Sequence, residues 1–183
     1  MARALDLAII AGSGSGAEPY GVTTTSGIPT DAIGTNGGPL TWESVVGLET
    51  TLMGSNGVVD ESAVAYVTSS KGLAQAKTIV KVSGYPMFIY DDVARRMNGI
   101  SVVSTNAVSS TLTKGTTSGT CTGLILGDWS QCLVGSYGPG FEMIVDPFSA
   151  ADSGSVRLVA FHTLDIAFRH DESFVKCLDV TTV

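Results

Sequence analysis

The two histidines are the side chains best suited to acid–base chemistry, because an imidazole titrates near neutral pH. His162 lies within an alternating apolar segment, where a core or interface histidine is expected rather than a catalytic base. His170 lies in the sequence RHDE, whose composition is that of an exposed turn. A serine hydrolase would also need a nucleophile on a G-x-S-x-G turn, which the sequence lacks. We therefore predict a protein that is not an enzyme.

The segment GSGSGA, residues 12–17, matches the minimal dinucleotide-binding pattern G-x-G-x-x-A. In a functional site of this kind the glycines open a helix, whose first backbone amides bind the pyrophosphate. Here Glu18, Pro19, Tyr20 and Gly21 follow, and then a run of threonines without helical periodicity. The sequence therefore predicts a turn at this position and no cofactor.

Acidic pairs and cysteines are the candidate metal ligands. The pairs are Asp60-Glu61, Asp91-Asp92 and Asp171-Glu172, and the cysteines are Cys121, Cys132 and Cys177. Neighbouring residues on a strand point to opposite faces, and no loop supplies the alternating oxygen ligands that calcium requires. Two histidines and three dispersed cysteines do not form a zinc pattern. We predict no metal site, and free thiols typical of a reducing compartment.

The composition of the chain limits the classes of partner that it is expected to bind. The chain has 183 residues and a net charge of −7, with ten dispersed basic residues, so it lacks the basic clusters of a nucleic-acid-binding protein. Its apolar runs are too short to cross a bilayer, which predicts no membrane association. Only 15% of the residues are charged and 22 are glycine. This composition favours a protein that buries much of its surface against copies of itself.

The most regular pattern is an alternation near the carboxyl end, from Val156 to Phe168. Such a period of two predicts a β-strand with one buried face. Thirteen residues at ~3.3 Å each give a strand of roughly 40 Å, about twice the usual length. The expected buried face consists of Val156, Leu158, Ala160, His162, Leu164, Ile166 and Phe168.

The preceding chain alternates between short helices and strands, which predicts an α+β fold. Residues 2–11 are expected to form a helix or a buried strand, with the helix favoured. Further helices are expected after an N-cap at Thr41, over residues 69–81 and briefly over residues 91–99. Strands are expected at residues 63–68 and 100–105, and a polar loop over residues 108–120. The segments LILGD (124–128) and QCLVG (131–135) are expected to pair as a hairpin across GDWS.

The order of these patterns resembles the major capsid proteins of tailed bacteriophages. The resemblance implies their Hong Kong 97-type fold, with an axial domain, part of a peripheral domain and a long C-terminal strand. It rests on five stretches, which are LDLAIIAGSGSGAEPYGV (5–22), AVAYVTSSKGLAQAKTIV (63–80), RRMNGISVVSTNAV (95–108), GLILGDWSQCLVGSYGPGFEMIVDP (123–147) and VRLVAFHTLDIAFRHDESFVKCLDV (156–180).

The resemblance implies that residues 59–150 form the axial domain. Residues 1–58 and 151–183 would then form part of the peripheral domain. The family's N-terminal arm, overlapping loop and long spine helix have no counterpart, so the chain is expected to be N-terminally truncated and unable to close a shell alone. Ser101 replaces a frequent proline. The Lys–Asn cross-link of some relatives is not expected, because residues 141–160 contain no asparagine.

The function implied is that of a head subunit of a phage or prophage, assembled in the bacterial cytoplasm into pentameric and hexameric rings of a virion. Scaffold, portal or decoration proteins are further possible partners. Loops 82–92 and 107–120 are expected at the ring axis, and Trp129 either packs on its own hairpin or faces a neighbour. The candidate interface residues are Tyr85, Pro86, Tyr90, Lys114 and Trp129. The alternatives are a small β-rich binding or adhesion module and, more remotely, a hydrolase.

Overall fold

The computed structural model describes residues 2–149 and 151–182. Its helices are α1 (Ala2–Ala11), α2 (Trp42–Gly54) and α3 (Ser70–Thr78). Its strands are β1 (Val64–Thr68), β2 (Val80–Val82), β3 (Tyr85–Phe88), β4 (Tyr90–Asp91), β5 (Arg96–Met97), β6 (Ile100–Ser104), β7 (Leu112–Lys114), β8 (Thr117–Asp128), β9 (Cys132–Asp146), β10 (Arg157–Phe168) and β11 (Phe174–Thr181). The α+β prediction is confirmed. Within this described part, no helix is long and apolar enough to span a membrane.

The main sheet has the strand order β11-β8-β1-β6-β5-β4, and β7 also pairs with β8. β1 and β6 are parallel, whereas β8 runs antiparallel to both β1 and β11. Leu124 and Leu126 of β8 pack under α2 and α3, while Ile125 faces a second apolar cluster with Val67 and Phe174. The sheet is therefore buried on both faces, which explains the continuous apolar run LIL.

Helix α2 begins where the sequence predicted. Thr41 is its N-cap and forms a capping box with Ser44, in which each side-chain oxygen accepts from the other residue's backbone N–H, at 3.2 and 3.1 Å. Val45, Leu48 and Leu52 form the buried stripe of the helix. Helix α3 ends at Thr78, slightly earlier than predicted, because residue 80 already begins β2.

Two local predictions were wrong. Residues 91–99 form a β4–β5 turn instead of a helix, because the Asp91 carboxylate accepts from the N–H groups of Val93 and Ala94 and closes the turn. The predicted loop 108–120 contains strand β7, which pairs with the start of β8. Both are hairpins whose few residues carry too little periodicity to be recognised in the sequence.

The outer edge of β11 is covered by residues 29–38, which bridge to it at Thr30 and at Gly38. Lys176 donates its backbone N–H to the Pro29 carbonyl at 3.0 Å, and Thr181 donates to the Gly38 carbonyl at 2.8 Å. The ammonium group of Lys176 donates to three carbonyls of the preceding segment, those of Val22, Thr23 and Thr25. This cover removes an exposed strand edge from the main sheet.

The predicted hairpin between β8 and β9 is also wrong. β8 pairs with β1 on one side and with β11 on the other, so it has no free edge for β9 along residues 124–127. β9 instead pairs with β10 in a separate two-stranded sheet. We call this β9–β10 unit the ribbon. The long strand predicted near the carboxyl end is present as one of its two strands.

The division into axial and peripheral domains remains a prediction. Strand β11 comes from the segment assigned to the peripheral domain, and it pairs with β8, from the segment assigned to the axial domain. Both assigned segments therefore contribute strands to one sheet.

The base of the ribbon packs beside a close contact between β8 and β11. A Cβ atom added at Gly127 would lie 2.2 Å from Cδ1 of Phe174, so only glycine leaves room for this ring. The ring in turn makes an edge-on contact with Phe168, the last residue of β10, at a centroid distance of 5.2 Å. Gly127 therefore allows the aromatic packing that joins the ribbon to the sheet.

We predict that Gly127→Ala lowers the free energy of unfolding by about 1 to 3 kcal/mol, because the new methyl group must displace the Phe174 ring. Urea denaturation measures the change. Gly135→Ala is the matched control, since the atom nearest to its added Cβ would be the Asp165 carbonyl oxygen at 3.9 Å and its φ is not positive. Equal stability of the two variants would contradict the tight fit at residue 127.

Candidate assembly surfaces

Asp128 anchors the base of the ribbon. Its carboxylate is completely buried and accepts four hydrogen bonds. One oxygen accepts from the backbone N–H groups of Val59 and Asp60, both at 3.0 Å. The other accepts from the backbone N–H and the hydroxyl of Ser130, at 3.0 and 2.6 Å. The carboxylate thus holds the segment before β1 against the 3-10 turn that leads into β9.

The same hydrogen bonds determine the charge state of this carboxyl group. Burial by itself would raise the pKa of Asp128, because it removes water from the charged form. The bonds from Ser130, Asp60 and Val59 outweigh that effect and hold the pKa of Asp128 below its ordinary value. Asp128 is therefore a charged structural acceptor in the core.

Trp129 completes the junction between sheet and ribbon. Its indole N–H donates to the Ala65 carbonyl at 3.1 Å, and its ring meets Phe174 edge-on at a centroid distance of 5.4 Å. These contacts lie within the subunit, which corresponds to the intramolecular alternative for this residue. The residue remains only half-buried.

The ribbon itself lies outside both apolar cores over most of its length. β10 pairs with β9 from Phe168↔Cys132 to Arg157↔Asp146. Between His162 and Thr163 the register shifts, because β9 carries extra residues between Tyr137 and Phe141. Gly138 and Gly140 in this bulge have φ of +83° and +86°, which glycine adopts without strain.

One face of the outer ribbon is apolar and uncharged. Directly paired residues share a face, so Leu158 lies beside Val145, Ala160 beside Met143 and His162 beside Phe141. We call these six residues the uncharged ribbon face. Its apolar side chains are exposed in the single chain, with 57% to 63% of Phe141, Met143, Val145 and Leu158 accessible.

This finding corrects the expected burial of β10. Its alternating face is buried at Ile166 and half-buried at Phe168, where the strand meets the core. From Leu158 to His162 the same face is exposed. The alternation correctly predicted a strand with an apolar face, but the rest of this chain does not cover that face.

The opposite face of the outer ribbon carries charge. Phe161 lies beside Glu142, Val159 beside Ile144 and Arg157 beside Asp146, and Asp165 follows on the same side of β10. We call these residues the charged ribbon face. Asp146 also accepts hydrogen bonds from the Ser149 hydroxyl and from the backbone N–H groups of Phe148 and Ser149. These bonds order the turn at the ribbon tip and hold the pKa of Asp146 below its ordinary value.

The predicted interface residues lie on several elements. Tyr85 and Pro86 are exposed on β3, and Lys114 is half-buried on β7. Tyr90 is 8% exposed and lies beneath the Lys77 ammonium group, at 5.1 Å from the ring centroid. Tyr85 and Pro86 are therefore exposed, Lys114 and Trp129 are half-buried and Tyr90 is buried, and the role of all five in an interface stays a prediction.

The other residues considered for catalysis, metal binding or cofactor binding lie in the following positions. His162 is exposed and lies 3.0 Å from the Ser136 hydroxyl, and His170 precedes a 3-10 turn. No group of three or more metal-ligating side chains occurs among residues 2–149 and 151–182. The glycine-rich segment follows helix α1 and forms turns at Gly14 and Gly16, both with φ of +66°.

Sequence reasoning missed the uncharged ribbon face because it missed the partner of β10. The signal was available in the sequence, since Phe141, Met143 and Val145 alternate with Glu142, Ile144 and Asp146. The alternation is weakened by the apolar Ile144 and interrupted by the Gly-Pro-Gly bulge. The sequence therefore predicts a strand at FEMIVDPF (141–148) but does not specify its neighbour.

The chain belongs to the phage capsid family, whose pattern matches residues 1–178. The predicted family and fold are thus confirmed. No curated protein matches the sequence.

Solved structures share the fold at low sequence identity. The capsid of a native GTA particle, computed with C5 symmetry, has a TM-score of 0.69 and 18% identity, covering 98% of this chain and 62% of that one. The Gordonia phage Cozz structure gives 0.62 and 17%, covering 97% and 59%. The SrpI encapsulin of Synechococcus elongatus gives 0.58 and 12%, covering 98% and 61%. This chain therefore spans about three fifths of the length of each.

We predict that Asp128→Asn lowers the free energy of unfolding at pH 7 by about 2 to 3 kcal/mol, because its amide NH₂ must face backbone donors on one side. The folded-state pKa of Asp128 is depressed, so its contribution is present above about pH 4 and is lost as the pH falls through the folded pKa. The variant should therefore lose less stability on acidification than the wild type.

Urea titrations between pH 7 and pH 3 measure both effects. The matched control is Asp6→Asn, at an exposed position on α1. If Asp128→Asn and Asp6→Asn had the same stability and the same acid dependence, Asp128 would not be the anchor described here.

Proposed function

We propose that this protein is a structural subunit of a phage-type capsid and associates with copies of itself. Membership of the phage capsid family and the shared fold support this role. The single observation in this chain that carries it is the ribbon, whose uncharged face is apolar and exposed. We propose a structural protein without catalytic activity.

Physical reasoning connects this face with assembly. A two-stranded ribbon is at best marginally stable in water unless another element packs on it. Contiguous exposed apolar surface on a soluble protein also marks an interaction site. Phe141, Met143 and Leu158 would gain about 1.5 to 3 kcal/mol each on complete burial, before the costs of association. Packing of a neighbouring subunit on the uncharged ribbon face is therefore energetically favourable.

The proposed arrangement is a ring of five or six subunits in a virion shell. A body with different surfaces on its two sides makes heterologous contacts, which close into rings when the rotation permits. Tyr85, Pro86 and Lys114 would lie toward the ring axis. Assembly in the bacterial host cytoplasm, and contacts with scaffold, portal or decoration proteins, are further parts of the proposal.

We predict that the double variant Phe141→Ser and Leu158→Ser self-associates about ten-fold or more weakly than the wild type, because it removes two apolar anchors from the interface. Multi-angle light scattering over a concentration series measures the change. Both side chains are exposed, so the thermal unfolding of dilute protein should change little.

Val59→Ser is the control, because Val59 is 69% exposed and lies outside the ribbon. This variant should associate like the wild type. A wild-type chain that remains monomeric throughout the concentration series, or a ribbon variant that associates as strongly as the control, would count against the proposed function.

A further inference from the structure

The sequence contains Asn-Gly pairs at residues 36–37, 56–57 and 98–99. In such a pair the backbone nitrogen of the glycine can attack the side-chain amide of the asparagine, because glycine has no side chain to hinder the approach. The nitrogen bonds to the asparagine Cγ, and its proton leaves with the side-chain nitrogen as ammonia, which closes a succinimide ring. Water then opens the ring to aspartate or isoaspartate. The surroundings of each pair determine how fast it deamidates in this way.

In two of these pairs the attacking nitrogen is already engaged. The Gly37 N–H donates to the Gly34 carbonyl at 3.2 Å. The Gly57 N–H donates to the Ser55 hydroxyl at 3.3 Å, and Gly57 is buried. A hydrogen bond must therefore break at each of these nitrogens before it can attack, which raises the barrier to deamidation.

The third pair, Asn98-Gly99, forms the turn between β5 and β6, where Met97 pairs with Ile100. Asn98 and Gly99 have φ of +49° and +83°, and positive φ at both central residues is the mark of a type I′ turn, for which Asn-Gly is a preferred sequence. Both residues are exposed. Within the described part of the chain, the Gly99 N–H has no hydrogen-bond acceptor. The turn therefore combines access for water with an unengaged nitrogen.

The side-chain amide of Asn98 also connects the turn to the core. Its Nδ2 donates to Oε2 of Glu49 on α2 at 2.5 Å, and Oε1 of Glu49 accepts from the Tyr66 hydroxyl at 2.8 Å. Tyr66 is completely buried on β1, and Glu49 is half-buried. Burial and the adjacent Glu49 carboxylate raise the pKa of Tyr66, so this hydroxyl stays a donor. Glu49 thus joins a buried donor on one side to the exposed turn on the other.

We propose that Asn98-Gly99 is a site of spontaneous deamidation, and that the carboxylate formed there weakens the attachment of the β5–β6 turn to α2. The reaction needs only water and releases ammonia. It replaces a hydrogen-bond donor by a second carboxylate beside Glu49. The two negative charges repel each other, and Glu49 loses one of its two donors. The isoaspartate product also adds a methylene group to the backbone of a turn that has no spare length.

Peptide mapping by mass spectrometry after prolonged incubation in mildly alkaline buffer measures the reaction. Trypsin releases residues 97–114 around Asn98, and Glu-C protease releases residues 1–43 and 50–61 around Asn36 and Asn56. In the folded protein Asn98 should convert several-fold faster than the other two, because only its neighbouring nitrogen is unengaged. In urea that unfolds the chain, all three should convert at similar rates, because the three pairs have the same sequence.

Two variants test the effect of the product on the fold. Asn98→Asp reproduces the aspartate form and should lower Tm by several degrees, because two carboxylates then face each other. Adding Glu49→Gln to it should restore most of the loss. The glutamine NH₂ can donate to the new carboxylate at position 98, while its oxygen still accepts from the Tyr66 hydroxyl.

Asn56→Asp is the matched control, because it makes the same change in an exposed Asn-Gly pair with φ of +54°. Among the described residues the Asn56 side chain has no hydrogen-bond partner, so this variant should lower Tm less than Asn98→Asp does. Differential scanning fluorimetry of dilute protein compares all these chains.

Each measurement can overturn the inference. If Asn98 converts no faster than Asn36 or Asn56 in the folded protein, or if unfolding leaves the order of rates unchanged, the structure does not select this site. If Asn98→Asp is as stable as Asn56→Asp, or if Glu49→Gln fails to restore stability, the new carboxylate does not act through Glu49. None of these measurements depends on whether the chain assembles.

Discussion

The structure depends on strand β8, because both edges of this strand are already paired within the main sheet. β8 cannot form a hairpin with the strand that follows, so the chain must turn at Asp128 and begin a separate ribbon. Asp128 supplies four acceptor contacts for that turn, and Gly127 leaves space for the Phe174 ring. Loss of these donors would leave a charge uncompensated in a region without water, which costs far more than the same loss at an exposed carboxylate.

This junction separates two parts of the chain that differ in burial. The main sheet, buried on both faces, provides a stable body. The ribbon extends from that body with its apolar face exposed, and its base is fixed by Phe168 and Trp129 through their contacts with Phe174. Because the base is rigidly packed while the outer strands lack cover, the ribbon is suited to contact another subunit. The bulge at Gly138 and Gly140 interrupts its free edge, a feature that discourages uncontrolled strand pairing.

Much of the fold could be predicted from local signals. Thr41 marks a helix start because its side chain caps the helix, and the alternation around His162 marks a strand because side chains alternate across a sheet. The pairing of β9 with β10 could not be predicted, because strand pairing depends on which edges remain free, and that is a property of the assembled sheet. The expected burial of Leu158 was wrong for a related reason. An apolar pattern indicates that a face is stabilised by burial, but it does not specify whether the same chain covers that face. The sequence likewise marked Tyr90 and Trp129 as aromatic residues that could lie at an interface. It did not show that Tyr90 packs beneath Lys77 or that Trp129 packs against Phe174 within the subunit.

Amide hydrogen exchange, compared between dilute and concentrated protein, tests the central claim that the ribbon is the surface covered on assembly. The account predicts that residues 141–146 and 157–163 exchange much more slowly at the concentration where particles form, while the central strands β1 and β8 change little. Slower exchange confined to other elements, with the ribbon unaffected by assembly, would contradict it.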